Sequence, residues 1–248
     1  MNLWTLERHR LVRTNRILLL LGAYLFFGAA GPLTARYLSE ILGRFGGDVT
    51  IDVPDPTPAD GITQFVSNAG QLGILAVVIV AAAALAIDAD REQAIFLRTR
   101  VRDAWQLLVP RVVTVTAAAA IALLLGTAQA VAVTVALLGP VDLGAVVLGT
   151  GLGMLYLGFV VTLTAAVATS TTGVLGTVLG TVALLLALPL LTLVPGLAAW
   201  VPSELLGAVD ALVRGTPPAE VLPAAVSTVV ATAGLLVLAR WRLARREL

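Results

Sequence analysis

The fold is decided by the stretch Asp88–Arg111, DADREQAIFLRTRVRDAWQLLVPR, the one long charged interruption in an otherwise mostly apolar chain. Of the 248 residues, 58% are hydrophobic and only 12% are charged. Soluble domains carry roughly 25% charged residues. The composition therefore predicts an all-α integral membrane protein with a single transmembrane domain, 1–248. If the chain contacts a soluble partner, we expect the contact to involve this stretch.

Working outward from it, the apolar blocks predict six transmembrane helices, since a bilayer requires roughly 20 apolar residues per helix. Their predicted ranges are 17–37, 65–87, 107–138, 144–168, 174–194 and 223–239. The segment 88–106 then connects the second and third helices. A basic start followed by an apolar run is also typical of a signal peptide, which we keep as an alternative for the first of these helices.

Two shorter segments complete the predicted fold. Segment 1–16 mixes Leu3, Trp4 and Leu11 with four arginines, a pattern that fits a helix lying at the membrane interface or a plain basic flank of the first helix. Segment 203–215, with Ser203 as the expected N-cap, is too short and too polar to span. We predict that it is a re-entrant or interfacial helix at the outer face.

The arginines predict the orientation. Thirteen of them precede the first predicted helix, lie between the second and third, or follow the sixth: Arg8, Arg10, Arg13, Arg16, Arg91, Arg98, Arg100, Arg102, Arg111, Arg240, Arg242, Arg245 and Arg246. The opposite loops carry three arginines and nine acidic residues. Because cytoplasmic loops are enriched in basic residues, both termini and 88–106 are predicted to be cytoplasmic.

The composition excludes several kinds of chemistry. The chain has no Cys, no Lys and a single His, His9. Thiolate sites, His-based triads and a Walker A loop are therefore excluded. No ionisable residue falls in the predicted core of a helix, which argues against an ion-coupled carrier. We expect no catalytic residue, no metal and no cofactor on this chain, and no enzymatic activity.

The charged stretch resembles the corresponding segment of ABC-2 type exporter permeases. That segment has an acidic pair, Gly-Thr, an apolar turn, a Pro, a Ser/Arg-type position and Gly-Lys. The matching positions here are Asp90-Arg91-Glu92, Ile95-Phe96-Leu97, Arg102 and Pro110-Arg111, whereas Gln93-Ala94 replaces Gly-Thr and Val101 stands near the usual Pro. The sequence motif covers only this stretch, but the six helices and the two short segments also resemble the family.

The resemblance implies a permease dimer in the lipid bilayer, paired with two ATPase subunits that bind ATP and Mg²⁺. It implies no nucleic-acid partner. It places a coupling helix, which docks on the ATPase, in 88–106. The implied docking residues are Asp90, Arg91, Glu92, Phe96, Arg98, Arg100, Arg102, Asp103 and Trp105. The alternatives are a plain solvated loop, an importer subunit or a non-catalytic membrane scaffold. An Arg-only, Ala-, Val- and Gly-rich composition indicates a prokaryotic plasma membrane.

A few residues within the predicted helices are candidates for the transport pathway or for helix packing. Gln129 is expected near the middle of the third helix, where it either lines a cavity or, as we favour, forms a hydrogen bond across a helix pair. Tyr156 is a second polar candidate. The pairs Gly149/Gly153 and Gly176/Gly180 allow close helix approach, and we expect them to pack within the subunit.

Overall fold

The computed structural model describes residues 3–45, 55–86, 103–171 and 173–245. These residues are almost entirely helical and contain no β-strand. Most of the connecting segment, 88–102, lies outside the described residues. Asp90, Arg91, Glu92, Phe96, Arg98, Arg100 and Arg102 are among those, so their predicted docking role is not addressed by the structure.

The described chain contains six helices that are long and apolar enough to cross a membrane. The α-helices of the described chain, including those too short to span on their own, are α1 (Leu3–Arg13), α2 (Arg16–Phe45), α3 (Pro58–Asn68), α4 (Ile74–Leu85), α5 (Ala104–Leu137), α6 (Leu143–Ala168), α7 (Gly173–Ala187), α8 (Ala208–Val213) and α9 (Pro218–Arg245). A π-helical turn, Ala69–Gly73, joins α3 and α4 into one continuous span. The chain is thus an all-α protein with the composition of a multi-pass membrane protein.

The second span begins at Pro58 and not near residue 65 as predicted. Thr57 is in an extended conformation, and its backbone N–H donates to the Asp60 carboxylate at 2.9 Å. Its hydroxyl also bonds that carboxylate, and Pro58 occupies the first helical position. This capping arrangement starts the helix ahead of the predicted range 65–87, within a stretch rich in Pro and Asp.

The outer segment also differs from its prediction. It begins as a 3₁₀-helix, Pro202–Gly207, and only then becomes α8. The residue before it is Val201, in an extended conformation, and Pro202 fixes the first helical position. The hydroxyl of Ser203 is buried and forms no hydrogen bond within the described chain, so Ser203 is not the N-cap.

The fifth span, Gly173–Leu193, lies within one residue of its predicted range at each end. It is α-helical to Ala187 and continues as a 3₁₀-helix, Leu188–Leu193, because Pro189 lacks a backbone N–H for the α-helical pattern. The sixth extends well beyond 223–239. It starts at Pro218, a residue favoured at the first helical position, and ends at Arg245.

The second, third and fourth spans form the centre of the bundle. In the apolar stretch of each of these spans, 61%, 56% and 56% is buried inside the bundle, against 28%, 11% and 17% in the first, fifth and sixth spans. The outer helices present large apolar side chains outward, including Leu175, Leu186 and Leu193. Such a surface suits contact with lipid or with another hydrophobic helix.

Helices α2 and α5 pack closely at a point where two glycines face each other. A Cβ added to Gly28 would lie 2.5 Å from the carbonyl oxygen of Gly126, and one added to Gly126 would lie 2.7 Å from the carbonyl oxygen of Tyr24. These distances leave no room for a methyl group. The first and third spans therefore pack backbone against backbone, as small residues permit in membranes.

Successive spans alternate in direction. The first residue of α2, Arg16, donates to the Ala83 carbonyl near the end of α4 at 3.1 Å. Near the end of α9, Arg240 lies 3.6 Å from Asp103 at the start of α5, and Arg242 bonds Ser170 just after α6. We call this end of the bundle the basic end. Both ends of the described chain lie there.

Candidate functional site

The candidate site is the part of the basic end where the chain leaves α4 and re-enters the bundle at α5. Among the predicted docking residues, the structure describes only Asp103 and Trp105. Asp103 is the N-cap of α5, and its carboxylate accepts a hydrogen bond from the Trp105 backbone N–H at 3.2 Å. This bond satisfies one of the free N–H groups at the helix start.

The same two side chains contact α9. Arg240 Nε lies 3.6 Å from the Asp103 carboxylate, and its guanidinium lies 5.4 Å from the centre of the Trp105 ring. Arg240 and Asp103 are nearly half exposed, so their ion pair contributes little, about 0–1 kcal/mol. Asp103 and Trp105 therefore already have partners within this chain. That both also contact a separate subunit stays a prediction from the sequence.

The second contact at this end is a buried ion pair. Arg111 Nε donates to the Glu7 carboxylate at 2.9 Å, and the two side chains are only 3% and 6% exposed. The pair fastens α1 against α5, about two turns from the start of α5. Because both charges are desolvated, each depends on the other. The sequence placed Arg111 at the mouth of the third span but did not reveal its partner.

A third contact holds the end of α4. The Ala83 carbonyl is one of the last four in that helix, which have no partner inside the helix. Arg16 Nη1 supplies the missing donor. We call Glu7, Arg16, Asp103, Arg111 and Arg240 the basic-end frame. The frame fixes the end of α4 and the start of α5, which residues 87–102 connect. It attaches these two helix ends to α1, α2 and α9.

The surface around the frame is positively charged. Five further arginines of the described chain lie on α1 and at the end of α9, and most are exposed: Arg8, Arg10, Arg13, Arg242 and Arg245. Of the acidic groups that the structure describes at this end, Glu7 is paired with Arg111 and Asp103 caps α5. This end is suited to an acidic protein surface or to lipid phosphates.

The candidate residues inside the bundle have packing roles. Tyr156 is buried and stacks on Phe159 with 5.9 Å between the ring centres. With Tyr24 and Phe65 it lines a cavity of about 40 Å³, which holds no more than a few water-sized molecules. Gln129 is half-buried, and the expected hydrogen bond to another helix is not present within the described chain.

The glycine pairs make contacts within the chain. A Cβ on Gly149 would lie 2.5 Å from the Val209 Cα of the outer segment, and one on Gly153 would lie 3.2 Å from a Leu123 methyl. On Gly180, a Cβ would lie 2.9 Å from a Val167 methyl. Gly176 has looser surroundings, with its nearest neighbour, Thr171, at 3.4 Å.

The end opposite the basic end carries a polar cluster that sequence analysis missed. Arg214 donates to Asp60 at 2.9 Å, to Asp210 at 2.9 Å and to the Thr63 hydroxyl at 2.7 Å. The hydrogen bonds that Arg214 donates to Asp60 and then to Asp210 raise the pKa of Arg214 above its usual value. The four-residue spacing of Asp210 and Arg214 on a helix could have predicted their ion pair from the sequence. The contact of Arg214 with Asp60, 154 residues away, could not have been predicted in this way.

Within the described residues, no group of His, Cys, Asp or Glu side chains is arranged to hold a metal ion. The site thus consists of a charged frame around a connecting segment. No protein-family model matches this chain, and no curated protein matches it.

Proposed function

We propose that this chain is the membrane-spanning permease subunit of an ATP-driven ABC transporter that works as an exporter. In this proposal two permease chains form the translocation pathway in a prokaryotic plasma membrane. Separate ATPase subunits bind ATP and Mg²⁺ and dock on the segment between the second and third spans. The permease itself performs no chemistry, and its basic end faces the cytoplasm.

The observation that carries the proposal is the basic-end frame. Residues 87–102 begin where Arg16 holds the end of α4, and they end where Asp103 meets Arg240. Just inside α5, the buried Glu7–Arg111 pair adds α1 to the same unit. A displacement of the connecting segment would therefore move several helices together, which is what a transporter driven by a separate motor requires.

The distribution of charge supports a mechanically driven pathway over an ion-coupled one. In the described parts of the six spans, charged side chains occur only towards the helix ends. Glu7 and Arg111, the charged side chains that are deeply buried in the described chain, neutralise each other. Ion-coupled carriers usually place ionisable groups within the membrane as relays. Energy input from a partner chain fits this arrangement better.

Capture of the partner from mildly solubilised membranes tests the proposal. The variant is Arg98→Glu/Arg102→Glu, which reverses two charges in the connecting segment and leaves Asp103 and Trp105 in their contacts with Arg240. The control is Arg13→Glu/Arg245→Glu, which reverses two exposed charges elsewhere at the basic end. We expect an ATPase with a Walker A motif to co-purify with the native chain and the control but not with the variant.

Two results would contradict the proposal. One is a folded native chain that captures no ATPase. The other is equal loss of the ATPase in both double variants, because that would indicate a general attraction to positive charge and not docking on the connecting segment. Circular dichroism of each purified variant shows whether the helices remain intact.

A further inference from the structure

A groove of about 510 Å³ lies at the basic end between α1, α2 and α5. Its walls include Trp4 and Arg8 of α1, Ile17 of α2, and residues from Val113 to Ile121 of α5. We propose that this groove binds one anionic phospholipid, with the phosphate on Arg8 and an acyl chain lying along α5. This site is separate from the proposed ATPase contact and does not depend on it.

The charge at the mouth of the groove favours an anionic headgroup. Arg8 is exposed, lines the groove and forms no ion pair within the described chain. Its neighbour Glu7 does not neutralise it, because the Glu7 carboxylate is buried on Arg111. Arg10 and Arg13 add positive charge on the same short helix. A guanidinium pairs well with a phosphate because two parallel N–H groups match its oxygens.

The wall formed by α5 favours an acyl chain. Val113, Ala117 and Ile121 all line the groove and repeat every four residues, so they form one stripe along the helix. The stripe covers about 12 Å of the helix axis. Val113 and Ile121 are 45% and 51% exposed. An extended apolar chain covers such a stripe, whereas a compact polar ligand does not.

The stripe continues into the surface that faces the bilayer. Beyond the groove, Leu124 is 50% exposed on the same side of α5, followed by the exposed Ala128. The groove therefore opens towards hydrocarbon at one end and towards arginines at the other. A diacyl phospholipid has the matching order of groups. Interfacial helices likewise bind anionic lipids through burial of apolar surface and attraction between opposite charges.

Trp4 provides a direct probe, because it lines the groove and brominated acyl chains quench nearby indoles. The full chain is prepared with Trp105, Trp200 and Trp241 replaced by Phe, which leaves Trp4 as the only tryptophan. It is placed in phosphatidylcholine nanodiscs with increasing fractions of brominated phosphatidylglycerol. We expect half-maximal quenching at a several-fold lower fraction than with brominated phosphatidylcholine.

Two matched pairs of variants locate the site. Arg8→Gln should raise the phosphatidylglycerol fraction for half-quenching about threefold to tenfold, whereas Arg13→Gln, the same charge change outside the groove, should raise it less than twofold. Ala117→Phe fills the groove and should reduce the maximal quenching. Ala132→Phe, at another exposed position of α5, should not change it. The second pair decides the question if Arg8→Gln fails to fold.

Four outcomes would overturn the proposal. Equal quenching by both lipids, or equal weakening by the two Arg variants, would mean general attraction of the membrane surface to α1. Displacement of the lipid by soluble glycerol phosphate would mean a phosphate site without an acyl chain. If neither brominated lipid quenches Trp4 until the protein is diluted, a second copy of the chain covers the groove.

Discussion

At the scale of single residues, the buried Glu7–Arg111 pair is the contact that the sequence concealed. The two residues are 104 positions apart, and no periodicity connects them. Taken alone, Arg111 reads as one more positive charge at the cytoplasmic end of a span. Its near-complete burial is visible only in the structure, and the physical consequences follow from that burial.

We predict that Glu7→Gln destabilises the protein by about 3–5 kcal/mol, because it leaves the Arg111 charge buried without a counter-charge. The double variant Glu7→Leu/Arg111→Met removes both charges and should restore most of the stability. Thermal unfolding in detergent, followed by circular dichroism, measures both effects. If the double variant is no more stable than Glu7→Gln, desolvation of Arg111 is not the cause of the loss.

The contact between Gly28 and Gly126 provides a second prediction at this scale. Gly28→Ala should destabilise the protein by about 1–3 kcal/mol, because the new methyl group meets the Gly126 carbonyl. Gly22, on the same helix, has nothing within 4 Å of its Cβ position. Gly22→Ala should therefore be neutral or stabilising by up to about 1 kcal/mol. A parallel loss in both variants, measured by the same unfolding experiment, would contradict the close packing of α2 and α5.

At the scale of elements, the number of spans was predictable and several of their ends were not. Long apolar runs define a transmembrane helix because the backbone must satisfy its own hydrogen bonds in lipid. The ends depend on local contacts instead. Thr57 and Asp60 start α3 at Pro58, ahead of the range that the apolar run predicted for the second span. Pro202 starts the outer segment before Ser203 is reached.

The candidate site was predictable only in part, for a related reason. Charge alone identified the basic end and the segment between the second and third spans. It did not show that Asp103 and Trp105 would contact Arg240, because that contact joins elements far apart in the sequence. The close approach of Gly28 to Gly126 was also hidden, since each glycine stands outside the small-residue pairs that sequence analysis selected.

The Arg214 cluster leads to a prediction about one element, the outer segment that ends in α8. We expect Arg214→Gln to loosen this segment, because it removes the bonds of Arg214 to Asp60, Asp210 and Thr63 and leaves only the direct hydrogen bond from the Thr63 hydroxyl to Asp210. The native chain has no Cys, so Val209→Cys introduces one buried thiol. Its reaction with a maleimide should become about threefold to tenfold faster, which corresponds to roughly 1 kcal/mol from exposed ion pairs.

Arg36→Gln is the matched control for that experiment. It removes one arginine charge from the far part of α2, where the guanidinium lies over Tyr37 and forms no ion pair within the described chain. The Val209→Cys thiol should react at its original rate in this background. Equal acceleration by Arg36→Gln and Arg214→Gln would mean that the cluster does not hold the outer segment.

At the scale of the whole molecule, the two ends of the bundle differ in charge, and the proposed function requires the basic end to be cytoplasmic, where ATP is available. Single cysteines at Thr14 or Ala244 mark the basic end, and cysteines at Pro140 or Ala219 mark the opposite end; all four positions are exposed. We predict that a membrane-impermeant maleimide added to intact cells labels Pro140→Cys and Ala219→Cys, and that the other two react only after lysis. The native chain contributes no background because it lacks Cys.

Labelling of Thr14→Cys and Ala244→Cys in intact cells would place the connecting segment outside, where no ATPase reaches it, and would exclude the proposed coupling. Labelling of only one member of either pair would contradict the alternation of six spans itself.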